Sequence, residues 1–196
     1  MSFAQVLQIP VARPIFLREV SNRMYGTTSY YFAACTASVI TFCLYPIISS
    51  CVSFPYFGFE ASSFIDLLHW VFIMSLIGLA GSFWGFMIGS FAKNEVTAVQ
   101  INLVCAYIFS FGGGFYANTG DNQNTLVRVL TYISPVRFST ELLMRRVLAE
   151  RPEADMVLDQ LGFTWGETIC IVGLIIFIIF GFLVGWASLL FKTRGY

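Results

Sequence analysis

The sequence predicts an all-α membrane protein with four transmembrane helices, and three observations support this prediction. First, 57% of the 196 residues are hydrophobic and only 11% are charged, whereas soluble domains are roughly 25% charged. Second, the mean hydropathy of +0.75 reflects more apolar surface than a soluble chain of this size can bury. Third, the apolar runs are continuous, which indicates helices rather than the alternating strands of a membrane barrel.

The charge balance narrows the classes of function further. Eleven basic residues cancel eleven acidic ones, so no excess of positive charge indicates a nucleic-acid partner. A soluble enzyme and a disordered tail are excluded by the hydrophobic content. The lipid bilayer is therefore the first partner that the sequence predicts.

Four charge-free runs are long enough to cross a bilayer. A spanning helix needs about 20 mostly apolar residues, and a charge near the middle of the membrane is costly. On this basis we predict spans over residues 30–53, 67–91, 96–117 and 168–191.

The basic residues that flank these runs predict the orientation. If the flanks share one side, that side carries Glu19 and Glu95 against six basic residues, namely Arg13, Arg18, Arg23, Lys93, Lys192 and Arg194. Short cytoplasmic loops are enriched in Lys and Arg. We therefore expect both termini to lie in the cytoplasm.

The segment before the first span, residues 10–27, predicts an amphipathic helix over residues 14–26. Pro14 suits a first helical turn, and the apolar face carries Phe16, Leu17, Val20 and Met24. The opposite face carries Arg18, Glu19, Asn22 and Arg23. Two interpretations stay open: a simple interfacial anchor, or a helix that docks a cytoplasmic partner through Arg18, Glu19 and Arg23.

The second span carries a small residue at every fourth position, at Gly81, Gly85 and Gly89. This spacing opens a shallow groove on one face of a helix and lets a neighbouring backbone approach. Static helix packing is the favoured interpretation, and a moving helix contact is the alternative.

The third span ends differently from the others. Three glycines at 112–114 disfavour a helix by roughly 1 kcal/mol each relative to alanine, and Phe115 and Tyr116 follow them. One interpretation is a helix end with an aromatic belt. The other is an aromatic constriction above an apolar cavity lined by Phe109, in which Asn102 offers a hydrogen bond to a ligand.

The outer segment, residues 119–167, contains two apolar stripes over 126–133 and 138–147 that are too short to span a membrane. We expect short re-entrant or surface helices there. Arg137 and Glu141 are four residues apart and can form an exposed ion pair of little energetic value. The acids Asp155, Asp159 and Glu167 are expected to be solvated.

No motif for catalysis or metal binding is present. The single histidine, His69, lies beside Trp70 at a predicted membrane boundary, and it has no partners for a metal site. No glycine-rich phosphate-binding motif occurs. We therefore predict no catalytic residue, no metal and no cofactor, and no ATP hydrolysis by this chain alone.

The order of motifs resembles the C-terminal part of the membrane domain of G-subfamily ABC transporters, the White/pleiotropic-drug-resistance type. The matching stretches are FLRE at 16–19 with Tyr25, FGGGF at 111–115, YISPVRF at 132–138, and FKTRGY at 191–196. The resemblance covers essentially the whole chain, and it implies the last four of six membrane helices. The family's first two helices and its nucleotide-binding domain are expected to be missing.

The resemblance also implies roles for the segments named above. The segment around Arg18 and Glu19 would be the connecting helix that packs against a nucleotide-binding domain, which holds the ATP and Mg²⁺. The third span would line a cavity at the interface with a second half transporter, in a homodimer or heterodimer, with Phe115 and Tyr116 near a plug.

The leading functional hypothesis is the permease part of an ATP-driven exporter of lipids, sterols or amphipathic xenobiotics, and we expect it in the plasma membrane. A permease with its ATPase on a separate subunit is a second hypothesis. The third is a four-span scaffold or channel-like protein without an ATPase partner.

Overall fold

The computed structural model describes residues 2–53, 64–113, 125–148 and 154–193, and for residues 126–128 it describes the backbone alone. Within these ranges the chain forms α-helices and no β-strand, so the predicted all-α class is confirmed. The helices are α1 (Ser2–Ser21), α2 (Thr27–Ser53), α3 (Phe64–Phe91), α4 (Glu95–Gly112), α5 (Thr125–Ile133), α6 (Pro135–Leu148), α7 (Ala154–Gln160) and α8 (Glu167–Thr193).

Four of these helices, α2, α3, α4 and α8, are long and apolar enough to cross a membrane. Each begins before its predicted span. In α3, α4 and α8 the reason is that a charge-free run stops at an acidic residue whereas the helix does not. Glu95 and Glu167 occupy the first turns of α4 and α8, where a carboxylate is stabilised by the helix dipole.

The third span differs from its prediction at the other end. We predicted a span over 96–117, but α4 ends at Gly112, the first of the three consecutive glycines. Residues 114–117 of the predicted span lie outside the described residues.

The first helix differs most from its prediction, which was wrong at both ends. Instead of covering residues 14–26, α1 begins at Ser2 and ends at Ser21, so both Pro10 and Pro14 lie inside it. The prediction placed Pro14 in the first turn because proline is common there. The apolar residues before Pro10 continue the helix toward the N-terminus.

A reversal of the backbone at Arg23 ends α1. Arg23 has φ 56°, and the N–H of Met24 donates to the carbonyl of Glu19 at 3.1 Å. The N–H of Arg23 donates to the carbonyl of Val20 at 3.0 Å. This pair of bonds is the Schellman arrangement that closes helices, so Arg23 and Met24 lie beyond α1.

The chain divides into two compact units, and each long helix contributes residues to both. Unit 1 comprises residues 1–48, 78–103 and 178–196, and unit 2 comprises residues 49–77 and 104–177. The hydrophobic core of unit 1 joins α1, α2, α3 and α8 through Ile9, Phe16, Tyr31, Cys35, Phe83, Phe86 and Leu189.

In unit 2 the two predicted short helices are present as α5 and α6, and α7 is a third that the sequence did not predict. The start of α6 is fixed to the end of α4. Ser134 donates a hydrogen bond to the carbonyl of Phe109 at 2.8 Å, and Thr140 donates to the carbonyl of Gly113 at 2.9 Å.

Candidate functional site

The first half of α1 lies directly on the glycine-containing face of α3. A Cβ atom added at Gly85 would lie 2.5 Å from the carbonyl oxygen of Ser2, and one added at Gly89 would lie 2.7 Å from that of Val6. At Gly81 the nearest atom would be 3.8 Å away, an ordinary contact. Gly85 and Gly89 therefore permit contact between two helix backbones, and Gly81 lies at its edge.

Pro10 affects the contact between α1 and α3 because it has no backbone N–H. Proline has no N–H, so the carbonyl of Val6 does not receive the usual helical hydrogen bond from residue 10. That carbonyl is the one closest to Gly89. The backbone of α3 at Gly89 therefore lies close to the Val6 carbonyl of α1, which lacks its usual hydrogen bond within α1.

Polar side chains are buried beside the same half of α1. Asn102 of α4 is fully buried, and its Nδ2 donates to the hydroxyl of Ser2 at 3.3 Å. Ser38 of α2 is buried as well, and its Oγ lies 3.2 Å from Oε1 of Gln8. The structure thus places Asn102, which we predicted to line a substrate cavity, in contact with α1.

Two basic side chains cap the C-terminal end of α3. The Arg13 guanidinium donates to the carbonyls of Lys93, Gly89 and Ser90 at 3.0, 3.2 and 3.4 Å. The Lys192 ammonium donates to the carbonyls of Ser90, Phe91 and Ala92 at 2.7, 2.8 and 3.4 Å. Cations at a helix C-terminus stabilise it by about 0.3–2 kcal/mol. The caps join α1 and α8 to one end of α3.

The second half of α1 is far more exposed than the first. Ile15 is 64% exposed, Arg18 is exposed, and a cavity of about 410 Å³ lies beside Pro14, Ile15, Arg18, Glu19, Asn22 and Met24. Of the residues predicted to contact a partner, Arg18 and Glu19 lie within α1, and Arg23 lies just beyond its end.

Glu19 is held by a tyrosine. The hydroxyl of Tyr25 donates to the Glu19 carboxylate, and this hydrogen bond, with burial as a smaller cause, raises the pKa of Tyr25 to about 12. Tyr25 also stacks on Phe16, which in turn packs on Tyr30 with 4.3 Å between the ring centroids. These aromatic rings fix the turn that follows α1.

The remaining predicted site residues lie in unit 2 or outside the described residues. The ring of Phe109 is half-buried and meets that of Phe177 edge-on, with 6.2 Å between the centroids. Phe115 and Tyr116 lie outside the described residues. The roles of Phe109, Phe115, Tyr116 and Asn102 at a substrate cavity stay predictions.

Unit 2 contains a buried charged cluster that the sequence analysis missed. Arg137 and Glu141 were expected to form an exposed pair, but their side chains are 2% and 0% exposed, with 3.6 Å between Nε and Oε2. Arg145 donates to the same carboxylate at 2.9 Å and to the carbonyl of Phe163 at 2.8 Å. Spacing of four residues predicted the pair, but burial depends on neighbours distant in sequence.

Aromatic rings and backbone groups complete the surroundings of this cluster. The Arg137 guanidinium lies 4.5 Å from the centre of the Phe163 ring and 5.3 Å from that of Trp165, at cation–π distance. Burial raises the pKa of Glu141 above its usual value, although both arginines oppose this effect. Burial likewise lowers the pKa of Arg137. The phenylalanine and tryptophan after α7 are the signal that could have indicated the site.

Two further contacts between basic and acidic side chains lie in unit 2. Nε2 of His69 lies 2.9 Å from the Glu167 carboxylate, so Glu167 is paired rather than only solvated as predicted. Arg146 pairs with Asp66. Asp155 and Asp159 are exposed, as expected. Within the described ranges, no group of three or more His, Cys, Asp or Glu side chains could hold a metal ion.

Comparisons of the sequence with known proteins identify its family. A sequence profile of the ABC-2 type transporter family matches residues 1–147. The protein named "Protein white" from Drosophila melanogaster is 22% identical over 142 residues, which cover 72% of this chain and 20% of that protein. The protein of the same name from Ceratitis capitata is 23% identical over 145 residues, which cover 73% of this chain and 21% of that protein.

The chain thus spans about a fifth of the length of these curated relatives. Its four apolar helices and the family match make it a multi-pass integral membrane protein. The predicted resemblance to White-type membrane domains of the G subfamily is confirmed, and the chain belongs to the ABC-2 type transporter family.

Proposed function

We propose that this chain forms the membrane part of an ATP-driven exporter of lipophilic substrates, namely lipids, sterols or amphipathic xenobiotics. A nucleotide-binding domain, in the same polypeptide or on another, supplies the energy and binds ATP and Mg²⁺. The complete transporter is then a transport ATPase, and this chain is its permease. Membership of the ABC-2 type family supports the permease role.

The observation that carries the coupling part of the proposal is the backbone contact of α1 with α3. No side chain separates Gly85 and Gly89 of α3 from the carbonyls of Ser2 and Val6 of α1. Because the two backbones are in contact, α1 and α3 cannot approach further, and we propose that they move together. The Arg13 cap adds a second attachment. A force on the exposed half of α1 is therefore passed to α3 with little loss.

The exposed half of α1 supplies a surface for such a force. Ile15 is apolar and exposed, and Arg18 and Glu19 border the same cavity of about 410 Å³. Mixed apolar and charged residues of this kind are typical of contacts between separately folded domains. We propose that the nucleotide-binding domain contacts α1 here.

The positions of the basic flanks support cytoplasmic termini. In unit 1, Arg13 bonds the backbone of Lys93, and Lys192 bonds the backbone of Ala92. The segment before α2, the turn between α3 and α4, and the end of α8 therefore meet at one place. We propose that this place faces the cytoplasm, with the protein in the plasma membrane.

The exposed face of α4 fits a substrate cavity at the interface with a second half transporter. It carries Ile101, Leu103, Val104, Tyr107, Ile108 and Phe111, and the polar Thr97 and Gln100 are exposed nearer the start of the helix. The roles of Phe109, Phe115, Tyr116 and Asn102 at such a cavity, which the resemblance implies, belong to this proposal. An apolar wall with few polar groups suits a lipophilic ligand.

Charge reversal at Glu19 tests the proposal. In the complete transporter in liposomes, Glu19→Lys should lower the amount transported per ATP by about tenfold, within the usual range of coupling between sites, while ATP hydrolysis continues. Tyr25→Phe is the matched control, because it removes the hydrogen bond to Glu19 but keeps the carboxylate. Its coupling should stay near that of the wild type.

Other outcomes contradict the proposal in distinguishable ways. Unchanged coupling in Glu19→Lys would remove α1 as the point of attachment. Equal losses in both variants would assign the effect to the turn after α1 rather than to a partner. A purified complex that never contains a nucleotide-binding domain would favour the scaffold or channel-like alternative.

A further inference from the structure

Three cations surround the C-terminal end of α3 in unit 1. Arg13 and Lys192 bond backbone carbonyls there, and Lys93 follows the helix directly. The positive charges of Arg13 and Lys93 both repel that of Lys192. Across the parts of the chain that the structure describes, no carboxylate forms an ion pair with any of these three side chains. Carbonyl dipoles offset only part of their charge.

An apolar cleft of about 200 Å³ opens beside these cations. Its walls are Ile9, Phe16 and Leu17 of α1 and Leu189 of α8, and Arg13 and Lys192 form its polar end. A wider cavity of about 580 Å³, which also borders Arg13, is lined by Lys93 and Glu95. The four charged residues around the two cavities thus comprise three cations and one carboxylate.

We propose that the cleft binds an anionic phospholipid, with an acyl chain along the apolar walls and the headgroup phosphate at Arg13 and Lys192. Lys93, which borders the adjoining cavity beside Arg13, adds a third positive charge near the phosphate. A phosphate alone would use the cations but gain nothing from the walls. A neutral lipid would use the walls but leave the cations uncompensated. Only an anionic amphiphile complements both, as basic pockets between membrane helices do elsewhere.

The place of the cleft in the chain agrees with this ligand. Lys192 and Leu189 are in the last turns of α8, a helix apolar enough to span the bilayer, so the cations lie where a headgroup would. Anionic lipids are concentrated in the cytoplasmic leaflet. The inference rests on the proposed function only for this orientation.

A bound lipid would also act on the helices. The three cations repel one another where α1 and α8 meet the end of α3, and a phosphate near them would replace repulsion by attraction. The lipid would therefore stabilise the contacts through which α1 is attached. Anionic lipid content becomes a regulator of the transporter.

Native mass spectrometry of the complete protein in mild detergent tests the site. With equal amounts of phosphatidylserine and phosphatidylcholine, we expect preferential retention of phosphatidylserine. Lys93→Gln should reduce that retention about fivefold, the effect of one basic charge near a membrane surface. The Lys93 side chain makes none of the bonds that cap α3, so this variant keeps the helix ends intact.

Arg23→Gln is the matched control, because Arg23 is an exposed cation that borders neither of the two cavities. It should leave phosphatidylserine retention unchanged. Equal losses in both variants, or equal retention of the two lipids, would overturn the proposal. Displacement of the lipid by millimolar inorganic phosphate would show a simple anion site instead.

One further outcome would assign the cations to a protein. If Lys93→Gln weakened binding of the nucleotide-binding domain and left lipid retention unchanged, the surface would be a protein contact, and the lipid proposal would fail. Because lipid retention is measured without ATP, its failure is distinct from that of the Glu19 coupling experiment.

Discussion

At the scale of single residues, three glycines of α3 with identical spacing have different surroundings. A Cβ at Gly85 or Gly89 would collide with a carbonyl oxygen of α1, whereas a Cβ at Gly81 would make an ordinary contact. Gly85→Ala should therefore destabilise the protein by about 1–3 kcal/mol, the usual range for overpacking. Unfolding in detergent, followed by circular dichroism, measures the change.

Gly81→Ala is the matched control for that substitution. It adds the same methyl group to the same helix, and alanine favours a helix by up to about 1 kcal/mol over glycine. We expect it to be neutral or mildly stabilising. If the two variants unfolded alike, close backbone contact between α1 and α3 would be ruled out.

Tyr25 carries a prediction about pH. The hydrogen bond to Glu19 raises the pKa of Tyr25 to about 12, above the value of about 10 for an unperturbed tyrosine. The folded protein thus holds the phenol proton more tightly than the unfolded chain. The contribution of the contact to stability is complete below pH 10 and is lost as the pH rises toward 12.

Absorbance titration of the tyrosines measures this shift. The difference between the wild type and Tyr25→Phe should show one group that ionises near pH 12. The comparison is then repeated between Glu19→Gln and the double variant Glu19→Gln/Tyr25→Phe. There the group should ionise closer to about pH 10, because the carboxylate that accepts the hydrogen bond is gone. A group that ionises near pH 10 in the wild type would contradict the contact.

At the scale of elements, the charged cluster of α6 predicts that the stability of the fold depends strongly on the Glu141 carboxylate. Glu141 lies between Arg137 and Arg145 and is fully buried. Glu141→Gln keeps the shape but leaves two arginines without their counter-charge, and breaking a buried pair in this way costs about 3–5 kcal/mol. The free energy of unfolding in detergent should fall by that amount.

Asp155→Asn in α7 provides the comparison, since it removes the same charge from an exposed side chain. Its effect should stay within about 0.5 kcal/mol. A similarly small effect of Glu141→Gln would mean that water or another group compensates the arginines, and the cluster would not hold α6 in place.

The elements also show which features can be predicted from sequence and which cannot. Long apolar runs predict α2, α3 and α8 well, because their hydrophobicity is a local property. The bounds of α1 were wrong because Pro14 is compatible with both a first turn and a helix interior. The burial of Glu141 and the cap formed by Lys192 depend on packing between distant segments, which neither periodicity nor spacing encodes.

At the scale of the whole molecule, the order of the spans constrains which segments share a side of the membrane. Four consecutive crossings bring the segment before α2, residues 92–94, and the end of α8 to one side. Hydrogen bonds that join Arg13 to Lys93 and Lys192 to Ala92 agree with this. If all four helices cross the membrane, we expect the segment that contains α5, α6 and α7 on the opposite side.

Cysteine labelling in cells tests this topology directly. The five native cysteines, at positions 35, 43, 51, 105 and 170, are first replaced by serine, and single cysteines are then introduced at Ile15 and Met156. These positions are 64% and 65% exposed, so accessibility within the fold is matched.

A membrane-impermeant maleimide should label Met156→Cys in intact cells and Ile15→Cys only after permeabilisation. Because the excess of basic residues around α1 favours the cytoplasm, the reverse pattern would overturn the orientation. Labelling of both positions in intact cells would overturn the four crossings, and with them the exporter.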